Sequence, residues 1–187
     1  MRMLVLTIAG VLAASLPMSA REDSDRTACG SEALPAAVQG QLKTAFASWK
    51  IQQAEDLSAA ARKRWESMKV RECPGIAVGE FETASKAYAV LLVPVGHPDT
   101  AYRFLVFSSD EGQPYHKVLV EKWDGGGAAN YFVQKIHVND FFSDSWKRKL
   151  RVVANEGILF VDAGSTEYET DVYFWTKSGY QHQPVDN

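Results

Sequence analysis

Ala87-Tyr88-Ala89-Val90-Leu91-Leu92-Val93-Pro94-Val95 is the stretch on which the reading of the fold turns. Every residue from Ala89 to Val93 is apolar, so a strand built from it needs cover on both faces. A strand with one wet face would alternate apolar with polar residues. The segment therefore predicts a central strand ending at Pro94, whose ring nitrogen has no N–H to donate to a ladder. The short period continues on either side. Strands are predicted over 76–81, 87–95, 101–108, 115–123, 131–138, 158–162 and 171–176, with a short last one over 180–183. Between them lie the turn signals His97-Pro98-Asp99, Asp110-Glu111-Gly112, Gly125-Gly126-Gly127 and Lys177-Ser178-Gly179. No intervening helical pattern of the dozen or more residues that parallel crossovers need is present, so successive strands are predicted to be antiparallel. Residues 140–154 fit a short helix or a further strand.

Upstream the pattern changes. Only Phe46, Trp49 and Trp65 among the aromatics precede residue 80, whereas ten alanines crowd the stretch from Ala28 to Ala61. Alanine favours helix and aromatic residues favour strand. Leu34, Val38, Leu42, Phe46 and Trp49 recur at helical spacing. A second helix is predicted with Asp56 or Ser58 as its cap and Leu57, Ala61, Trp65 and Met68 as its inner stripe. The fold class is α+β: an N-terminal helical pair packed on a mainly antiparallel sheet of about six to eight strands, in a single domain over residues 21–187.

Residues 1–20 are read apart from the fold. Arg2, the apolar run from Leu4 to Leu16 and the small pair Ser19-Ala20 before the polar Arg21-Glu22-Asp23 have the layout of a secretory signal peptide. The apolar run is shorter than the ~20 residues that span a bilayer, so no transmembrane anchor is expected after cleavage. The expected location is periplasmic or extracellular. Cleavage would take the net charge from −3 to −4 by removing one arginine and no acid. An acidic chain with a pI near 5.8 argues against nucleic acid as partner. Export also gives the two cysteines a meaning: Cys29 and Cys73 are expected to form a disulfide.

Ile76-Ala77-Val78-Gly79-Glu80-Phe81, followed by Tyr88-Ala89-Val90, resembles an FG-GAP unit, a strand-turn-strand element of β-propellers that often carries a calcium loop. Here Glu80-Phe81-Glu82-Thr83-Ala84-Ser85-Lys86 lacks the alternating acid and amide ligands and the glycine. Its two carboxylates fall short of the about six to eight oxygens that calcium takes. The likeness occurs once, where a propeller needs several blades. It implies a strand-turn-strand without calcium.

The histidines His97, His116, His137 and His182 form no H-x-H or H-E-x-x-H pattern, so no metal site and no cofactor are expected. A hairpin of strands 115–123 and 131–138 around the glycine triplet would bring His116 and His137 together, with Asp140 nearby. These three are the catalytic candidates. No G-x-S-x-G or S-x-x-K nucleophile motif accompanies them. Two groups are binding candidates. Lys147, Arg148, Lys149 and Arg151 form the one dense basic cluster, suited to an anionic partner. Tyr173 and Trp175 share a strand face and could present an aromatic surface. The leading expectation is a non-catalytic binding or inhibitor-like protein of the bacterial envelope, with an envelope protein or polymer as partner. The alternatives are an envelope-polymer hydrolase using His116, His137 and Asp140, and a structural envelope component.

Overall fold

The computed structural model describes residues 29–68, 72–82, 85–109, 113–164 and 169–185. The expected leader lies outside these residues. The fold is α+β, but the strands divide into two antiparallel sheets rather than one. The first sheet holds β1 (Trp49–Ile51), β2 (Ile76–Gly79), β3 (Ala87–Pro94), β4 (Tyr102–Ser108) and β5 (His116–Trp123). The second is a meander of β6 (Tyr131–His137), β7 (Glu156–Asp162), β8 (Glu169–Thr176) and β9 (Gly179–Pro184). Three helices accompany them: α1 (Ala36–Ala45), α2 (Ala59–Ser67) and α3 (Asp144–Leu150). No helix among the described residues is long and apolar enough to cross a membrane.

β3 is central, as its double-sided apolarity requires. Ala89, Leu91 and Val93 point between the sheets, where they meet Phe104 and Val106 from β4 and Val133, Ile158 and Phe160 from the second sheet. Val90 and Leu92 point the other way, onto Leu34, Val38 and Leu42 at α1. The outer face of the second sheet, with Phe132, Leu159, Val172 and Phe174, is covered by Leu57 and Ala61 at α2 and by Phe142. The two N-terminal helices thus serve opposite outer faces and do not form a packed pair on one sheet. A nine-strand sandwich has two outer apolar faces, and each takes one helix.

β4 pairs with one edge of β3, and β1 and β2 share the other edge end to end. Ile76 to Gly79 face Val90 to Ala87, while Ile51 faces Leu92. The two short strands meet at Leu91, whose carbonyl accepts from Gln52 N–H at 3.0 Å and whose N–H donates to Gly75 O at 2.9 Å. Between β1 and β2 the chain leaves the first sheet to lay α2 against the second. Ser58 caps α2 by accepting from Ala61 N–H, and its own N–H donates to Ala129 O at 2.8 Å. The Cys29–Cys73 disulfide, with Cα atoms 5.1 Å apart, ties the chain ahead of α1 to the turn entering β2.

The Gly125-Gly126-Gly127 turn does not close a hairpin. Gly126 and Gly127 adopt φ of 84° and 76°, a region open mainly to glycine, and the chain crosses there from β5 into the other sheet. The crossing is pinned to the β3–β4 turn: Gly126 N–H donates to Thr100 O, and Ala128 N–H to Asp99 O. β5 therefore pairs with β4, and β6 with β7.

Candidate functional site

The basic cluster forms a groove. α3 starts after Ser143 and ends in a Schellman closure: Val152 N–H donates to Lys147 O at 3.1 Å, and Arg151 N–H to Arg148 O at 3.2 Å. The left-handed position of such a closure is usually glycine. Here it is Arg151, with φ 57° and ψ 35°, the one described non-glycine residue at positive φ. Holding an L side chain there costs about 1–2 kcal/mol, and strain of this kind collects at functional sites. Beyond Arg151 the chain is clamped to the end of β8 by a Val152–Thr176 bridge and by Val153 N–H donating to Trp175 O. That clamp brings Lys177 alongside. The resulting groove, about 570 Å³, is lined by Lys147, Arg148, Arg151 and Lys177, with Asp144 as its one carboxylate and Asn155 as a neutral polar wall.

The charges are unequally engaged. Lys147 pairs with Asp144 at 2.8 Å and also donates to Asn139 Oδ1. Lys147, then Arg148, hold the Asp144 carboxyl below its usual range. Lys149 lies 4.4 Å from the Trp146 ring centroid, outside the groove. The side chains of Arg148, Arg151 and Lys177 have no hydrogen-bonded or ion-paired partner among the described residues. Unneutralised cations around a concave space attract an anion, and arginine forks suit phosphate or carboxylate oxygens.

His116 belongs to a second cluster, at the end of β4 and β5. Glu82, with its side chain 6 % exposed, accepts from Ser108 Oγ at 2.7 Å, and His116 Nε2 lies 3.2 Å from Glu82 Oε2 and 2.8 Å from Ser108 Oγ. A carboxylate oxygen facing both groups places the imidazole proton on Nε2 and leaves the serine hydroxyl to donate to Glu82. Ser108 Oγ is then an acceptor from His116, not a hydroxyl activated by it. Burial, followed by the Glu82 charge, pushes the Tyr180 phenol well above its ordinary range.

His137 stands in the other sheet, its Nδ1 3.9 Å from Glu156 Oε1, and Asp140 sits in an exposed single turn after β6. The three catalytic candidates do not converge, because the hairpin that would have joined them is a crossing between sheets. His182 has its own carboxylate, Asp171, at 3.2 Å. Among the described residues no cluster of three or more histidine, cysteine or acidic side chains is placed to hold a metal ion.

Tyr173 faces inward, and Trp175, on the same strand face, is half-buried. Tyr173 is 5 % exposed and donates its hydroxyl to Glu121 Oε2, and Trp175 packs on Tyr180 with ring centroids 4.9 Å apart. Glu121 also accepts from Tyr102 at 2.5 Å, so one carboxylate joins β4 of the first sheet to β8 of the second. Strict alternation from Val118 and Val120 would send Glu121 outward. A bulge opposite Phe104 and Leu105 turns it in. Neither Glu121 nor Lys177 carries a local sequence signal. Both roles depend on long-range placement. No protein-family model matches the chain, and no curated protein sequence or solved structure matches it.

Proposed function

We propose that this is an exported binding protein that holds an anionic group of an envelope component in the groove beside α3. The observation that carries the reading is the convergence on one concave space of the Arg148, Arg151 and Lys177 side chains, none of them paired among the described residues, with Arg151 kept in a costly backbone conformation. Export rests on the leader-like residues 1–20 and accords with the Cys29–Cys73 bridge. A hydrolase reading has less support, since His116 stands on the first sheet and His137 and Asp140 at the end of β6 in the second, and Ser108 gives its proton to Glu82.

Inorganic pyrophosphate is the probe. In calorimetric titration at low salt it is expected to bind the full-length mature protein, with affinity falling in Arg151→Gln and Lys177→Gln and unchanged in His116→Gln. Absence of binding, or equal loss in all three variants, would reject the groove as the site.

A further inference from the structure

The groove is one flank of a larger feature. Among the described residues six large hydrophobic side chains are exposed, and three of them lie on or just beside α3: Phe141 at 37 %, Trp146 at 49 % and Val153 at 49 %. α3 is the wall between two hollows. On one side is the cationic groove, with Val153 on its lining. On the other is an aromatic-walled cleft of about 220 Å³ bounded by Phe141, Phe142, Trp146, Pro184 and Val185, with Gln183 as its one polar side chain. Along the ridge, residues 144–151 carry four cations and one anion, in a chain whose net charge is −3. Lys149, stacked on Trp146, adds a cation directly beside an exposed indole.

Exposed tryptophan and phenylalanine next to clustered lysine and arginine is the composition that suits the headgroup zone of an anionic bilayer. Aromatic rings enter the interface there while cations meet phosphates. A soluble anionic ligand would use the groove and leave Phe141 and Trp146 without a role. The acidic remainder of the molecule would be repelled by the same surface, which fixes the orientation. Resting on the reading of the groove as an anion site, we infer that the α3 ridge is a peripheral docking surface for a lipid bilayer bearing anionic headgroups, with Trp146 and Phe141 seated among them.

Vesicle co-sedimentation of the mature protein tests this. Vesicles of equal parts phosphatidylglycerol and phosphatidylcholine are expected to retain the protein, and pure phosphatidylcholine vesicles to leave it in solution. Retention should weaken as salt rises. Arg148→Gln and Lys177→Gln should each lower the partition about fivefold, the equivalent of one cation near a charged surface. Trp146→Ser should lower it further while leaving pyrophosphate binding intact. Brominated acyl chains should quench the wild-type fluorescence more than that of Trp146→Phe. Pyrophosphate binding without vesicle retention would overturn the membrane surface and spare the groove; loss of both would remove both. Retention indifferent to Trp146→Ser, with no quenching difference, would overturn the seating of the aromatics. Circular dichroism of each variant separates these outcomes from misfolding.

Discussion

Alkaline pH should unfold this protein abruptly, through the phenols that link its two sheets. Tyr102, 2 % exposed, and Tyr173, 5 % exposed, both donate to Glu121. Burial, followed by the hydrogen bond to this carboxylate, raises both phenols far above the ordinary value. A raised folded pKa means that the native state keeps protons the unfolded state releases. Stability is therefore intact below the unfolded value of about 10 and falls above it, by about 1.4 kcal/mol per pH unit per phenol. Two such groups remove roughly 2.7 kcal/mol per unit. A domain of typical stability, about 5–15 kcal/mol, at the lower end of that range would reach its midpoint about two units above the phenol value. Tyr131 and Tyr180, half-buried and also raised, steepen the fall. The assay follows phenolate absorbance and far-ultraviolet circular dichroism together in one pH titration. Part of the absorbance of the seven tyrosines should appear only as the dichroism collapses. Glu121→Gln, which weakens the hydrogen bonds of both phenols and so lowers native stability, should move that late step to lower pH. Complete titration of all seven near the ordinary phenol value, with the dichroism still native, would refute the reasoning.

Other outcomes follow from single contacts. Replacing both Cys29 and Cys73 by serine frees a loop spanning a sequence separation of 44, and a chain-entropy estimate for a loop of that size is about 4 kcal/mol, to be read from the urea midpoint. Glu156 accepts from Glu80 N–H at 2.7 Å and pairs with Lys135 at 3.3 Å. Burial works to raise its pKa, but these partners prevail and lower it. Its share of stability is present above the unfolded value of about 4.3 and is lost as pH falls, so Glu156→Gln should flatten the acid limb and cost about 1–3 kcal/mol at neutral pH. Arg151→Gly should act in two directions, raising thermal stability by about 1 kcal/mol through relief of the left-handed backbone while weakening pyrophosphate binding. A loss of stability on that substitution would show that the arginine is held by packing instead.

The parts of the fold visible in the chain are those with local causes. Two-sided apolarity at 89–93 marked the central strand, Ser58 marked the start of α2, and all eight predicted strands occur within a few residues of their expected bounds. β1 was hidden because Trp49 continues the helical spacing of Phe46, while its strand conformation comes from the otherwise unpaired edge at Leu92 to Pro94. The division into two sheets was hidden because three glycines permit a tight hairpin as readily as a crossing. Only the contacts to Asp99 and Thr100, more than twenty residues away, decide between them. The site follows the same rule. Lys147, Arg148 and Arg151 lie close in sequence and were visible together, whereas Lys177 reaches them through the clamp on β8. Tyr173 could be read as a candidate for an exposed aromatic face because nothing local shows that its partner Glu121 is turned inward by a bulge.

The excursion between β1 and β2 has a mechanical consequence. Both its ends are fastened at Leu91 in the first sheet, while its middle, α2, lies across the far side of the second. The described parts of the excursion therefore act as a belt over one edge of the sandwich, buckled in the first sheet. Prising the sheets apart requires either lifting α2 from Phe132 and Phe174 or stripping a short strand from β3. The Cys29–Cys73 bridge sits beside the buckle, anchoring its β2 end to the chain ahead of α1. Loosening the belt would thus bare the outer face of the second sheet and open the tyrosine–glutamate seam in one event, so the two sheets are expected to come apart together rather than one at a time.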